Sequence, residues 1–183
     1  MISYTIVRSG RRTQAIHIKS DGSVEVRAPL GLAESEIERF VSSKSDWIDR
    51  KLAEVSAMAE SRPAGPLRTE YPPGGFERAA RGLVAEWEPR LGVKASSVSI
   101  RGMSSRWGSC TPGTGRIRLN SALEFCPREC LEYVVVHELA HLRESGHSPR
   151  FWAIVSSALP GYGARKSELR RLQWILDARR GDG

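Results

Sequence analysis

His137, Glu138 and His141 form the run HELAH, and His147 follows shortly after. Three of the four histidines fall between 137 and 147, a concentration that chance scatter rarely produces. On a helix, positions i and i+4 share a face, so His137 and His141 can aim their imidazoles at one atom. Glu138, next to the first, can reach a water held at that atom. This is the HExxH spacing, in which two imidazoles hold a zinc ion (Zn2+) and the glutamate serves as general base. Catalytic zinc commonly takes three protein ligands and leaves a fourth position open; His147 is the expected third. Without a metal, two histidines and a glutamate among Val134, Val135, Val136 and Leu139 would be costly to desolvate. The expected chemistry is hydrolysis. Zinc lowers the pKa of its water towards about 7, and Glu138 moves the proton to the leaving amine.

The third ligand has one rival. Glu168, on a later helical stretch, could serve as a distal glutamate, but His147 is preferred because a helix end and a helix start hold it. His147 also stands ten positions after His137, as in metzincin sites. Those sites carry a glycine where this chain has Glu144, and a later Met-turn, whereas the methionines here are at 1, 58 and 103. The metzincin reading therefore fails at two points. Tyr162 and Arg165 are candidates for a second electrophile. RIRLN at 116–120 is either an edge strand able to pair with an extended peptide or an ordinary core strand. Cys110, Cys126 and Cys130 lack the paired spacing of a structural zinc site and read as packing residues or loop thiols.

The elements that must position these groups follow from periodicity. Residues 3–8, 13–19 and 23–28 alternate and are expected to form an antiparallel β-meander, with turns at Gly10 and Asp21-Gly22. His17, between Ile16 and Ile18, should face solvent. Ile37, Phe40, Val41, Trp47, Ile48, Leu52 and Val55 recur at helical spacing, with an interruption at Ser42–Ser45, and read as one interrupted helix or two short ones. Residues 61–75 hold four prolines and three glycines and read as a loop. A second helix carries Phe76, Leu83, Val84, Trp87 and Leu91, with Pro89 ending its regular part and Gly92 closing it. Val98–Arg101 and 116–120 read as strands, and SSRWGSCTPGTG between them as a loop. Pro127 opens the HELAH helix, Gly146 terminates that segment, and Ser148-Pro149 caps the next helix. One last amphipathic helix is expected over 166–179. The fold class is α+β: an N-terminal meander, a small sheet and the HExxH helix.

At 183 residues one well-buried domain is expected, divided as 1–60, a loop at 61–75, and a catalytic core at 76–183. The net charge is +7, compatible with an acidic partner such as nucleic acid, although charge alone speaks to solubility and non-specific binding. No signal-peptide pattern or apolar run of membrane-spanning length is evident, and the sparse, odd cysteines suit a reducing compartment. The expectation is a cytoplasmic protein with no membrane partner.

SSRWGSC, GRIRLN, EYVVVHELAHL and GHSPRFW together resemble the YgjP-like metallopeptidase domain family, small zincins related to SprT-like and WLM-type proteases. The resemblance extends over most of the chain. It implies a minimal zincin core with metal ligands at His137, His141 and His147, Glu138 as catalytic glutamate, and a peptide or protein substrate. Related proteases act on DNA-bound proteins, which lends the basic charge some interest by analogy. The alternatives are a zinc hydrolase of a non-peptide amide, and a basic nucleic-acid-binding module with a non-catalytic metal site. An intact Glu138 argues against the second.

Overall fold

The computed structural model describes residues 2–60 and 68–178. The chain divides into two compact units, residues 1–65 and 66–183, each with its own hydrophobic cluster. Of the loop expected at 61–75, residues 61–67 lie outside the described residues.

In the first unit, strands β1 (Thr5–Ser9), β2 (Ala15–Ile18) and β3 (Val24–Pro29) form one sheet in the order β1-β3-β2. The antiparallel meander is corrected here. β2 and β3 do pair antiparallel across the Asp21-Gly22 turn, but β1 pairs with β3 in parallel. The reason lies in β3. Its alternate residues Val24, Val26 and Ala28 are fully buried, while β1 and β2 have no buried residue. The strand with the most to bury takes the centre. The hairpin turn itself is as expected, with Gly22 at φ 82 and Asp21 Oδ1 accepting from the Ser23 amide at 2.8 Å. The Arg8 guanidinium donates to the carbonyls of Pro29, Leu30 and Leu32, fastening β1 to the end of β3. Helices α1 (Glu34–Ser42) and α2 (Ser45–Glu60) follow, broken where the polar interruption stands, and contribute Ile37, Val41 and Ile48 to the core. His17 is exposed on β2.

The second unit opens with α3 (Gly75–Leu91). Pro89 does not end this helix. It lies within the last turn, where its missing N–H forfeits one helical bond and little helix remains beyond it to be kinked, and Gly92 at φ 64 closes it. A second sheet holds β4 (Ser97–Arg101), β5 (Gly108–Thr111) and β6 (Arg116–Asn120) in the order β4-β6-β5, with β4 parallel and β5 antiparallel to β6. Of the two alternatives for RIRLN, the structure has the core strand: it is β6, at the centre, with Ile117 and Leu119 buried. One reading is corrected: the GSCT part of the supposed loop is β5, which takes an edge.

Helix α4 (Arg128–Ala140) packs against α3, β5, β6, α5 (Pro149–Ala158) and α6 (Tyr162–Arg171). It is apolar nearly all round, as buried helices are, and Val134, Val135 and Val136 in succession are weak helix formers. Its helicity is therefore a product of packing. α4 stops at Ala140, ahead of Gly146, which is not in a left-handed conformation. The single helix expected over 166–179 is instead α6 and α7 (Gln173–Ala178), parted at Leu172; residue 179 lies outside the described residues. The architecture is mixed α+β with two small sheets. No helix among the described residues is long and apolar enough to cross a membrane.

Candidate metal centre

His137 lies in the last turn of α4, and His141 is its C-cap residue. The loop after α4 carries His147, and Ser148 then caps α5, its hydroxyl accepting from the Phe151 amide at 3.3 Å. Pro149 takes the first helical position, where its missing N–H costs nothing. These caps fix the backbone on the far side of His147. Each histidine offers one ring nitrogen to a group whose atoms all lie within 4.8 Å of one another. His137 Nε2 and His147 Nε2 face each other at 3.0 Å. The Glu144 carbonyl can only accept, so His141 Nδ1, 3.1 Å away, carries the proton and leaves Nε2 with its lone pair.

Phe151 is fully buried among the three imidazoles, with ring centroids 4.9 Å from His137, 4.4 Å from His141 and 4.9 Å from His147. Trp152 stacks on His147 at 5.6 Å. Packing thus orients the rings; His137 Nδ1 is buried with no hydrogen-bond partner. Burial first, and then the charges of His141, His147 and Lys166, push the His137 ring down to about 3. Burial likewise lowers His141, against the hydrogen bond to Glu144. His137 and His141, with little tendency to protonate, offer lone pairs to the group that His147 completes. Three imidazoles and no thiolate are a donor set that fits a first-row divalent ion such as zinc.

Glu138 is 6% exposed. Burial pushes its carboxyl up to about 8, while the Arg106 charge and the Cys110 amide hydrogen bond pull the other way. The approach of β5 is close here. A Cβ on Gly108 would stand 2.6 Å from Glu138 Oε1, 2.8 Å from Glu138 Cγ and 2.8 Å from Val134 Cγ1. Only a glycine lets the strand edge lie on the carboxylate. The loop leading to β5 is pinned by Asn120, which is 1% exposed. Its Nδ2 donates to the carbonyls of Met103 at 2.7 Å and Arg106 at 2.8 Å, and its Oδ1 accepts from the Ala122 amide.

Other sequence candidates fall elsewhere. Glu168 pairs with Arg171 at 3.0 Å and is outside the histidine group. Arg165 is held by Glu132 at 2.9 Å, and Glu132 also accepts from Trp87 Nε1. Tyr162 stacks between Trp152 and Tyr133 at 5.5 and 6.1 Å. The cysteines are all free; Cys126 and Cys130 are buried and Cys110 half-buried. Gly108, Asn120 and Phe151 escaped the sequence reading. The one available signal was the lone glycine after Trp107 in a stretch bounded by strands.

No curated protein matches the chain. Among solved structures, it is similar to the metallopeptidase zymogen of Pyrococcus abyssi abylysin, at 31% identity over 50% of this chain and 90% of that one, with a TM-score of 0.44. It is also similar to the metallopeptidase zymogen of Methanocaldococcus jannaschii jannalysin, at 24% identity over 52% of this chain and 96% of that one, with a TM-score of 0.45. The model of one sequence family matches residues 12–73 and 76–172, nearly the whole chain, and on that match the chain belongs to the YgjP-like metallopeptidase domain family.

Proposed function

We propose that this metal-dependent peptidase uses zinc, held by His137, His141 and His147, with Glu138 as general base. The observation that carries the reading is the convergence of three imidazole nitrogens within 4.8 Å, next to a buried carboxylate in the same helical turn. When bound, zinc supplies Lewis acidity: it makes water easier to deprotonate and polarises a carbonyl. Phe151 and Trp152 hold the ligand rings in place, so little ordering remains to be done when the ion arrives. Glu138 accepts the proton of the attacking water and returns it to the departing amine. Burial raises the carboxyl, which favours its taking up that proton. The outer edge of β5 runs past Glu138 and can take an extended peptide by strand addition. The family match supports a peptide or protein substrate and gives no support to nucleic acid as partner.

The test is a pair of variants read by elemental analysis and peptide cleavage. His141→Ala should lose most bound zinc; full zinc content would remove it from the ligand set. Glu138→Gln should keep its zinc and lose turnover by about 10²–10⁴-fold. Undiminished cleavage would end its role as base.

A further inference from the structure

A cavity of about 310 Å³ opens beside His137 and Glu138. That is near the lower end for ligand pockets, roughly 300–1,000 Å³, and is room for a side chain or two rather than a folded partner. Trp107, Tyr133 and Leu169 give it apolar walls, while Arg106, Lys166 and Arg170 supply cations. Lys166 and Arg170 stand one turn apart on α6, on a common face. Lys166 Nζ lies 4.1 Å from the centroid of the Trp152 ring, which holds it towards the site. Arg106 comes from across the cavity, on the loop that Asn120 pins through the Arg106 carbonyl. Among the described residues, Glu138 is the only carboxylate lining the cavity. Three cations against one carboxylate leave a positive surplus even with Glu138 ionised.

Some exposed cations of this unit pair with nearby carboxylates, as Arg81 does with Glu77, Arg90 with Glu86 and Arg171 with Glu168. No described residue forms a salt bridge with Arg106, Lys166 or Arg170. Apolar walls suit an aliphatic stem, and cations around them suit an anionic head, which an arginine can grip with two parallel hydrogen bonds.

We infer that the cavity lined by Arg106, Lys166 and Arg170 is a substrate subsite that selects a carboxylate next to the scissile bond. This inference rests on the peptidase reading above. The carboxylate is either an acidic side chain or the free end of the peptide.

The experiment measures binding to the zinc-loaded Glu138→Gln protein by fluorescence anisotropy. The probes are labelled alanine-rich peptides with blocked ends and a single central Glu, Gln or Lys, plus the Gln peptide with a free C-terminal carboxylate. The Glu peptide should bind about tenfold tighter than the Gln peptide, as one charge-assisted contact allows. The Lys peptide should bind weakest. The gap should narrow with salt and close in the added Lys166→Gln/Arg170→Gln variant. Preference for the free-acid Gln peptide, with Glu and Gln otherwise equal, would assign the subsite to a chain terminus. Equal affinity across the set, a preference for Lys, or a gap untouched by Lys166→Gln/Arg170→Gln overturns the inference. Should that variant fail to unfold cooperatively, the peptide gap on the Glu138→Gln protein alone decides. A Glu preference in a chain whose wild type cleaves none of the peptides would spare the subsite and remove the peptidase reading. Cleavage of all of them with equal binding would do the reverse.

Discussion

Replacing Gly108 with alanine probes how tightly β5 is laid on the Glu138 carboxylate. The added methyl would sit 2.6 Å from Glu138 Oε1 and 2.8 Å from both Glu138 Cγ and Val134 Cγ1, well inside the ~3.5–4.0 Å at which carbon atoms attract. The tip of Glu138 can rotate away. Val134 cannot easily do so, because a β-branched side chain in a helix has one strongly preferred rotamer, and α4 is packed on most sides. The strand must therefore lift, or the carboxylate must leave its position. Overpacking of this kind costs about 1–3 kcal/mol, which for a unit of this size is roughly 4–12 °C in Tm. A base displaced by about 1 Å can lose on the order of 10²-fold in rate. The histidines are not touched, so zinc content should stay at the wild-type level. Thermal unfolding, elemental analysis and kcat/KM on one peptide separate these effects. A Gly108→Ala protein with unchanged Tm and unchanged kcat/KM would refute the claim that the glycine is required by the contact.

Ser148→Ala removes the cap that holds α5 beneath His147. It should cost about 1 kcal/mol and weaken zinc retention in a chelator competition; unaltered Tm and retention would show that the loop is held by other means. The thiols offer a test of the core. Burial pushes Cys130 up from 9.0 to about 11, and Cys126 rises further for the same reason. The folded state thus holds those protons more tightly than the unfolded one. The contribution is fully present below the unfolded value and is lost as pH rises from about 9 towards 11. Denaturant titrations should show falling stability across that window, and native protein at about pH 8 should resist alkylation at Cys126 and Cys130. Labelling of both at the rate of a free thiol would contradict the burial.

The convergence of the three histidines could be read from sequence because each step is local. A spacing of four on a helix fixes two of them, and Ser148-Pro149 marks a helix start just after the third. The division of the first helical region at Ser42–Ser45 and the turn at Asp21-Gly22 were readable for the same reason. Strand order was not. Period-two alternation is the same in an edge strand and a central one, so nothing near β1 announces that its partner is β3. GSCT lacks alternating apolar residues, and β5 owes its existence to β6 alongside it and α4 below. Gly108 looks like a loop glycine until Glu138 arrives from a distant helix. Arg106, Lys166 and Arg170 resemble an ordinary solvated surface in one dimension. They become a cluster only because Asn120 folds the loop back across from α6.

The histidines are anchored to different depths. His137 is built into a helix that α3, α5, α6, β5 and β6 hold in place, so its backbone opens only with much of the unit around it. His141 stands where the helical hydrogen bonds give out, and His147 is exposed on a connecting loop. An ion gripped by this set would come loose stepwise, from the loop inwards. Its residence time would be governed by the fluctuations of residues 142–148, with the helix itself remaining intact through each exchange.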